Sequence, residues 1–418
     1  MKSHFTAFAL GAGLVLIVGG VLAIVGPRFI EVDGDEDDEG VSIVSIDDGD
    51  SGSFQLKDGS LTVAAKWRGD FMFAGDGRSL SSLARSLEVE IRDNEAVRKA
   101  KFEAKDGKIL VTAVRDDNII AGFEGEASAG DILQMFARSS GVNADQRLKA
   151  IVADGGKAAA LDEIGALTGG HAAGAYIGAL SEITSLDDSD VAGLAGRIAA
   201  LTSDYAKRQA LTALLEHQKL GEEGLQSVLA AAKSIESDHE VRLIVEALAE
   251  IELTEPNADA ATALLGDIES DHELRLAVEA LLESDALQSE RAAGAITAAA
   301  AAIEGDYEKR LVIDAAAPRM NEPAIAAAAI ETAGAIEGGH ERRMAIETLA
   351  ENLDGKSDSW GALIALSKGV EGDHERRLAI ESLADRAPKS DLIKSALVEA
   401  AASISSDHDR RLAQDALD

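Results

Sequence analysis

The sequence predicts a mainly α-helical protein with a small β module: an N-terminal membrane helix, an antiparallel β meander, then an αα-hairpin solenoid, HEAT-like or tetratricopeptide-like, of about eight 34-residue repeats. Three observations carry this. Residues 5–26 hold no charge, residues 53–125 alternate β-rich runs with turn signals, and one motif then returns at a nearly constant interval. The boundaries that follow are 1–30, 31–52, 53–125 and 126–418. Composition points the same way, because 46% of the residues are hydrophobic but only 3% aromatic, which leaves Ala, Leu, Ile and Val to build the core. A net charge of −35 is repelled by phosphate backbones and anionic lipid surfaces, so nucleic acid is excluded as a partner for any large part of the surface. With no cysteine there are no disulfides, thiolate metal sites or Cys nucleophile.

The uncharged run from Phe5 to Gly26 ends at Pro27-Arg28. At about 1.5 Å per residue it covers a hydrocarbon core of roughly 30 Å. It reads as a single-pass anchor in the inner membrane that leaves the rest of the chain outside the cytoplasm. A cleaved signal is the rival, with Lys2 as its basic start and Val21-Leu22-Ala23 as its cleavage site, but the run exceeds the usual apolar region of about 7–15 residues. Gly19-x-x-x-Ala23 has the small-xxx-small spacing of associating membrane helices, which leaves a homo-oligomer open. Glu31 to Asp50 holds ten acids and no base and reads as a disordered, solvated linker. Asp33, Asp35 and Asp37 start like a calcium loop, but Asp38 stands where Gly is required and Val44 where Glu is required. Gly49-Asp50-Ser51-Gly52 resembles a protease nucleophile segment, with no catalytic His context around it.

In the β module, strands are expected at Leu61–Trp67, Phe71–Phe73, Leu87–Ile91, Ala100–Ala104, Ile109–Val114 and Ile119–Phe123. Lys57-Asp58-Gly59, Gly75-Asp76-Gly77, Lys105-Asp106-Gly107 and Arg115-Asp116-Asp117-Asn118 supply the turns between them. Helical patterning follows at 129–139 and 144–153.

The repeat is anchored on Asp204, Asp238, Asp271, Asp306, Gly339, Asp373 and Asp407, with a degenerate first copy at Gly170, at intervals of 33–35 residues. Such constancy means stacked helical hairpins, each burying its apolar face only against its neighbours. Counting the anchor as zero, Ser at −1 with Glu at +2, as in Ser237 with Glu240 and Ser270 with Glu273, predicts a capping box and a helix start. Positions +5, +6, +9 and +10 are apolar or small, for example Leu243, Ile244, Ala247 and Leu248, a buried stripe at helical spacing. The other helix of each unit is Ala-rich, as in 225–235 and 292–303.

Arg occupies +4 in seven copies: Arg208, Arg242, Arg275, Arg310, Arg343, Arg377 and Arg411. Six are followed at +8 by an acid: Glu246, Glu279, Asp314, Glu347, Glu381 and Asp415. At i, i+4 spacing each Arg can meet the anchor Asp one turn before and the acid one turn after. The pattern reads first as a structural network that fixes repeat spacing and second as a ridge for a protein partner. His171, His239, His272, His340, His374 and His408 all sit at +1, where Tyr205 and Tyr307 substitute. They read as half-buried helix-start residues, not as a metal set, since Tyr replacing His would alter the ligands. Residues 350–357 fit a relaxed phosphate loop, but they join two helices and carry acids where phosphate would bind.

Lys66-Trp67-Arg68-Gly69-Asp70-Phe71, Asp76-Gly77, Ala144-Asp145-Gln146-Arg147 and Ser203-Asp204-Tyr205-Ala206-Lys207-Arg208, with Leu211 and Leu214-Leu215, occur in that order. The arrangement resembles the soluble tail of some bacterial BlaR-type membrane zinc metallopeptidases, a small β module followed by SDYE-R-type helical repeats. The resemblance covers roughly residues 53–418 and implies signalling or regulation at a bacterial envelope. Because no H-E-x-x-H occurs here, peptidase activity and zinc do not carry over. The expected function is a non-enzymatic, membrane-tethered scaffold or sensor for a protein partner, with no cofactor. Alternatives are an accessory subunit of a membrane peptidase or transport complex, or a carboxylate-based hydrolase with a pocket near Trp67, Arg68 and Asp70.

Overall fold

The computed structural model describes residues 51–418 apart from positions 59, 95, 168, 285, 356, 357 and 418. Of the first 50 residues it describes only the backbone of four strands, β1 (Ala7–Leu10), β2 (Gly13–Val18), β3 (Val21–Val25) and β4 (Val41–Asp47). The first three pair antiparallel in chain order. No helix among the described residues is long and apolar enough to cross a membrane. The membrane helix expected over 5–26 is therefore not supported, and the rest of that run lies outside the described residues. The run is rich in Val and Ile and interrupted by Gly11, Gly13, Gly19 and Gly20, a pattern that short strands accommodate as well as a helix.

The chain forms two compact units, Met1–Leu186 with Ala200–Gln218, and Asp187–Ala199 with Lys219–Asp418. The first is built on β4, β5 (Ser51–Asp58), β6 (Leu61–Arg68), β9 (Ser86–Asp93), β10 (Ala96–Lys105), β11 (Lys108–Arg115) and β12 (Asn118–Ile120). They form one antiparallel sheet in the order β12-β11-β10-β9-β6-β5-β4. Between β6 and β9, β7 (Phe71–Phe73) and β8 (Leu80–Leu83) make a separate hairpin. The expected strands from 61 onward are present, except that the last stops at Ile120 and Phe123 already lies in helix α1 (Gly122–Ser140). β4 and β5 arise inside and just after the stretch read as linker. The acid count there hid Val41-Ser-Ile-Val-Ser-Ile46, a β-branched run that pairs with 53–58.

Alternation sets the sheet's two faces. Val63, Ala65 and Trp67 on β6 and Leu87, Val89 and Ile91 on β9 are buried, whereas Lys66, Arg68 and Glu88 are exposed. The two-residue loops Asp106-Gly107 and Asp116-Asp117 both have φ between 47° and 73°, the positive-φ geometry that tight hairpins need. Helix α1 lies across the buried face, and Phe136 enters a cluster with Phe54, Phe71 and Phe73 at centroid distances of 5.8–6.4 Å. Trp67 meets Phe71 edge-on at 5.6 Å. Helices α2 (Ala144–Gly165), α3 (Gly170–Ile183) and α5 (Asp204–His217) complete this unit.

The second unit contains α4 (Asp188–Ala199), α6 (Glu222–Ala232), α7 (Asp238–Ala249), α8 (Glu255–Ala263), α9 (Asp271–Glu283), α10 (Ser289–Ala302) and α11 (Asp306–Ala316). It continues with α12 (Pro323–Gly334), α13 (Gly339–Asn352), α14 (Trp360–Ser367), α15 (Asp373–Arg386), α16 (Asp391–Ala402) and α17 (Asp407–Asp415). Even-numbered helices stack in one row and odd-numbered helices in the other. All eight repeat anchors, in both units, are the first residues of helices, as the period predicts. Ala292, Ala295 and Ala299 on α10 and Ala277 on α9 have no exposed surface, so helices approach closely without aromatic filling.

Candidate functional site

The arginines at +4 form a ladder within the second unit. Arg242 Nε donates to Glu273 at 2.6 Å, Arg275 to Glu308 at 2.7 Å, Arg310 to Glu341 at 2.6 Å, Arg343 to Glu375 at 2.5 Å and Arg377 to Asp409 at 3.1 Å. Each of these acceptors is the +2 acid of the following repeat. The other side of each guanidinium holds the +8 acid of its own helix: Arg242 bonds Glu246, Arg275 bonds Glu279, and Arg310, Arg343 and Arg377 reach Asp314, Glu347 and Glu381 at 2.5–2.7 Å. The five Arg side chains are only 12–16% exposed. For Arg242 and Arg343, burial lowers the pKa, but the hydrogen bonds donated to both carboxylates outweigh it and hold the guanidinium above its ordinary value. Arg208 belongs to the first unit, where its guanidinium lies over the Tyr205 ring at 4.7 Å.

The partner on the N-terminal side thus differs from expectation. Spacing along one helix pointed to the anchor Asp, but that carboxylate reaches across to the next repeat and accepts main-chain N–H groups. Asp238 takes Ser270 at 2.7 Å, Asp271 takes Gly305 at 2.8 Å, Asp306 takes Gly338 at 2.7 Å and Asp373 takes Ser406 at 2.7 Å. These amides stand just before a helix, where donors lack intrahelical partners. Where the anchor is Gly339, a side chain would meet Glu371 O at 2.1 Å; Arg342 still bridges there, donating to Gly369 O at 2.5 Å, as Arg376 does to Ser403 O at 3.0 Å beside the anchor Asp373. The capping box is half realised: Ser270 and Ser406 accept from the +2 amides, while Glu273 and Asp409 turn to the preceding Arg. Of the +1 histidines only His171 is half-buried. His239, His272, His340, His374 and His408 are exposed, and His239, His272, His340 and His374 lie 3.2–3.4 Å from the ladder Arg through Nδ1.

A second constellation lies wholly inside the first unit. Arg147 is 1% exposed, donates to Glu163 at 2.7 Å and to the Tyr176 hydroxyl at 2.7 Å, and Glu163 also takes two bonds from Arg138 at 2.9 and 2.8 Å. Burial raises the pKa of Glu163, but the hydrogen bonds and charges of Arg138 and Arg147 outweigh it and hold the carboxyl below its ordinary value. Burial likewise pushes Tyr176 up. Gly77, at φ +66°, packs so closely that an added Cβ would stand 2.8 Å from Arg147 Nη2. Asn143 donates to Phe71 O at 2.9 Å. The structure therefore gathers separate pieces of the sequence arrangement, Trp67 to Phe71, Asp76-Gly77 and the Arg147 segment, around one buried network. Glu163, Arg138 and Tyr176 had no motif to reveal them.

The pocket sought near Trp67 is an open groove of about 530 Å³ on the outer sheet face, lined by Lys66, Arg68, Glu88, Lys101 and Glu103, with Asp70 outside it. Lys101 holds Glu103 at 2.9 Å, and both carboxylates are exposed. Among the described residues no group of three or more His, Asp or Glu is placed to hold a metal ion. No protein-family model, curated protein or solved structure matches this chain.

Proposed function

We propose that this protein is a non-enzymatic interaction scaffold or sensor, tethered to a membrane through its N-terminal segment and presenting a helical-repeat surface to a protein partner. The Arg ladder carries the reading. Five consecutive repeats commit the same three side chains to holding their neighbours at constant spacing, a device suited to presenting an extended surface. The ladder arginines are held in the stack, so a partner meets the acids outside them. Residues 126–418 carry 53 acids against 26 bases, a field that favours a basic partner and suppresses acidic ones. The resemblance to the tail of BlaR-type metallopeptidases supports a regulatory setting at a bacterial envelope.

Crosslinking in cells tests this, comparing wild type with Glu250→Lys/Glu283→Lys, two exposed acids, the first just after α7 and the second the last residue of α9. The expected result is a basic protein captured by wild type from the membrane fraction and lost by a variant of unchanged helicity. Identical capture by both, or a protein that washes off membranes with salt, contradicts the reading.

A further inference from the structure

One edge of the sheet in the first unit is open. β12 pairs only with Ala113, Val114 and Arg115 of β11, and among the described residues no strand lies beyond Lys108–Thr112. The turns at either end of β11 fix which main-chain groups this exposes. Asp106-Gly107 and Asp116-Asp117 close on the pairs Lys105↔Lys108 and Arg115↔Asn118, and in two-residue hairpins the closing pair is hydrogen-bonded. Bonded pairs then alternate along an antiparallel strand. Lys108, Leu110 and Thr112 therefore bond inward to β10, Ala113 and Arg115 bond outward to β12, and both counts turn the N–H and C=O of Ile109 and Val111 to the open side. The side chains there are uncovered too. Of the nine large apolar side chains exposed among the described residues, four fall within residues 110–123: Leu110 at 49%, Val111 at 40%, Ile119 at 73% and Phe123 at 92%. Natural edges are blunted by charge, Pro or a bulge. Ile109-Leu110-Val111-Thr112 has none of these and keeps unbroken register with β10, whereas the inner strands set the charged row Lys66, Glu88 and Lys101 across their outer face.

We infer that this edge takes an extended segment of a partner protein as an added antiparallel strand beside β11. The unpaired main-chain groups set the occupant's conformation, and the flanking side chains set its sequence. Two of its residues, opposite Val111 and Ile109, exchange hydrogen bonds with the edge and lie on the side of the sheet that Phe102 and Ala113 occupy, so they are β-branched. The residue between them meets Leu110 on the outer face and is apolar. The next meets Lys108, an exposed cation with no ion pair among the described residues, and is acidic. A second copy of this chain is obstructed. Symmetric pairing that sets Ile109 opposite Val111 also sets Gly107 opposite the second copy's Ala113, where that copy's own Ile120 already lies. The site is independent of the repeat surface proposed above, since Glu250→Lys/Glu283→Lys leaves this edge untouched.

The test uses the full chain, isotope-labelled for amide resonances, and a synthetic peptide of sequence Lys-Thr-Val-Leu-Val-Glu-Thr-Lys blocked at both ends. The peptide is expected to shift the Ile109 and Val111 amides, and to bind at least about tenfold more weakly when either Val is N-methylated, because those amides donate to the edge. N-methylation of its Leu, whose amide points away, should change binding by less than about twofold. In the chain, Val111→Pro removes one edge donor while sparing the ladder to β10 and should weaken binding at least about tenfold. Lys108→Glu should weaken it as well, and a peptide with Lys in place of Glu should restore it. Equal binding by all methylated forms, shifts confined to other strands, or no shift at millimolar peptide overturns the proposal, and these readouts use wild type and so do not depend on how any variant folds. Concentration-dependent self-association that Val111→Pro abolishes also overturns it, by making the occupant a second copy.

Discussion

The two units use the same chemistry in opposite proportion. In the first, one carboxylate, Glu163, lies between two arginines, Arg138 and Arg147, with Arg147 out of contact with water. In the second, one arginine lies between two carboxylates, only slightly exposed, and the arrangement recurs five times. The surroundings differ accordingly. From residue 51 onward the first unit carries 18 bases, 21 acids and nine of the fourteen aromatics, whereas the second carries 20 bases, 44 acids and two aromatics. A single buried knot suits an irregular junction, where losing one partner strands a charge. A repeated, partly hydrated rung suits a stack, where each contribution is modest and the sum sets the spacing.

That contrast orders the expected effects. Glu163→Ala leaves Arg147 buried with no counter-charge and should cost about 3–5 kcal/mol, read as an earlier urea transition by near-ultraviolet signals from the aromatic cluster. A cost near 1 kcal/mol would erase the distinction between knot and rung. Gly77→Ala combines an unfavourable φ with the close approach to Arg147 and should cost about 1–3 kcal/mol. Arg310→Ala removes one rung and should cost about 1–2 kcal/mol, less in high salt because the rung is partly hydrated.

Acid should weaken the first unit through the same carboxylate. Glu163 titrates below its ordinary value when folded, so its contribution is present above the unfolded carboxyl value of about 4.3 and is lost as pH falls through the folded value. The first unit should therefore weaken toward pH 3, and Glu163→Gln should flatten that loss. An unaltered acid profile in the variant would remove Glu163 from the account. The smallest effect belongs to His272→Ala, within about 0.5 kcal/mol, because that ring is 59% exposed at the rim of its rung.

Much of the repeat was legible because a constant interval fixes phase. Once Asp238 and Asp271 mark helix starts, Arg242 and Glu246 must share a face. What spacing could not reveal was the contact between helices. Spacing along one helix puts Asp238 beside Arg242 and says nothing of Glu273, and only stacking decides that Glu273 takes the guanidinium while Asp238 takes the Ser270 amide. The Glu163 knot was invisible for a related reason: its hydrogen-bonded pairs lie 16 to 29 residues apart with no periodicity. At the other end of the chain, counting acids concealed the strand at 41–47, where alternation mattered more than charge.

The most direct measurement is a double-mutant cycle on Arg275 and Glu308, the +4 and +2 positions of adjacent repeats, followed by urea unfolding of the second unit. The account predicts a coupling of about 1 kcal/mol or more, with Glu308→Ala adding little once Arg275 is Ala. Fully additive losses would show that the two side chains do not hold the repeats together.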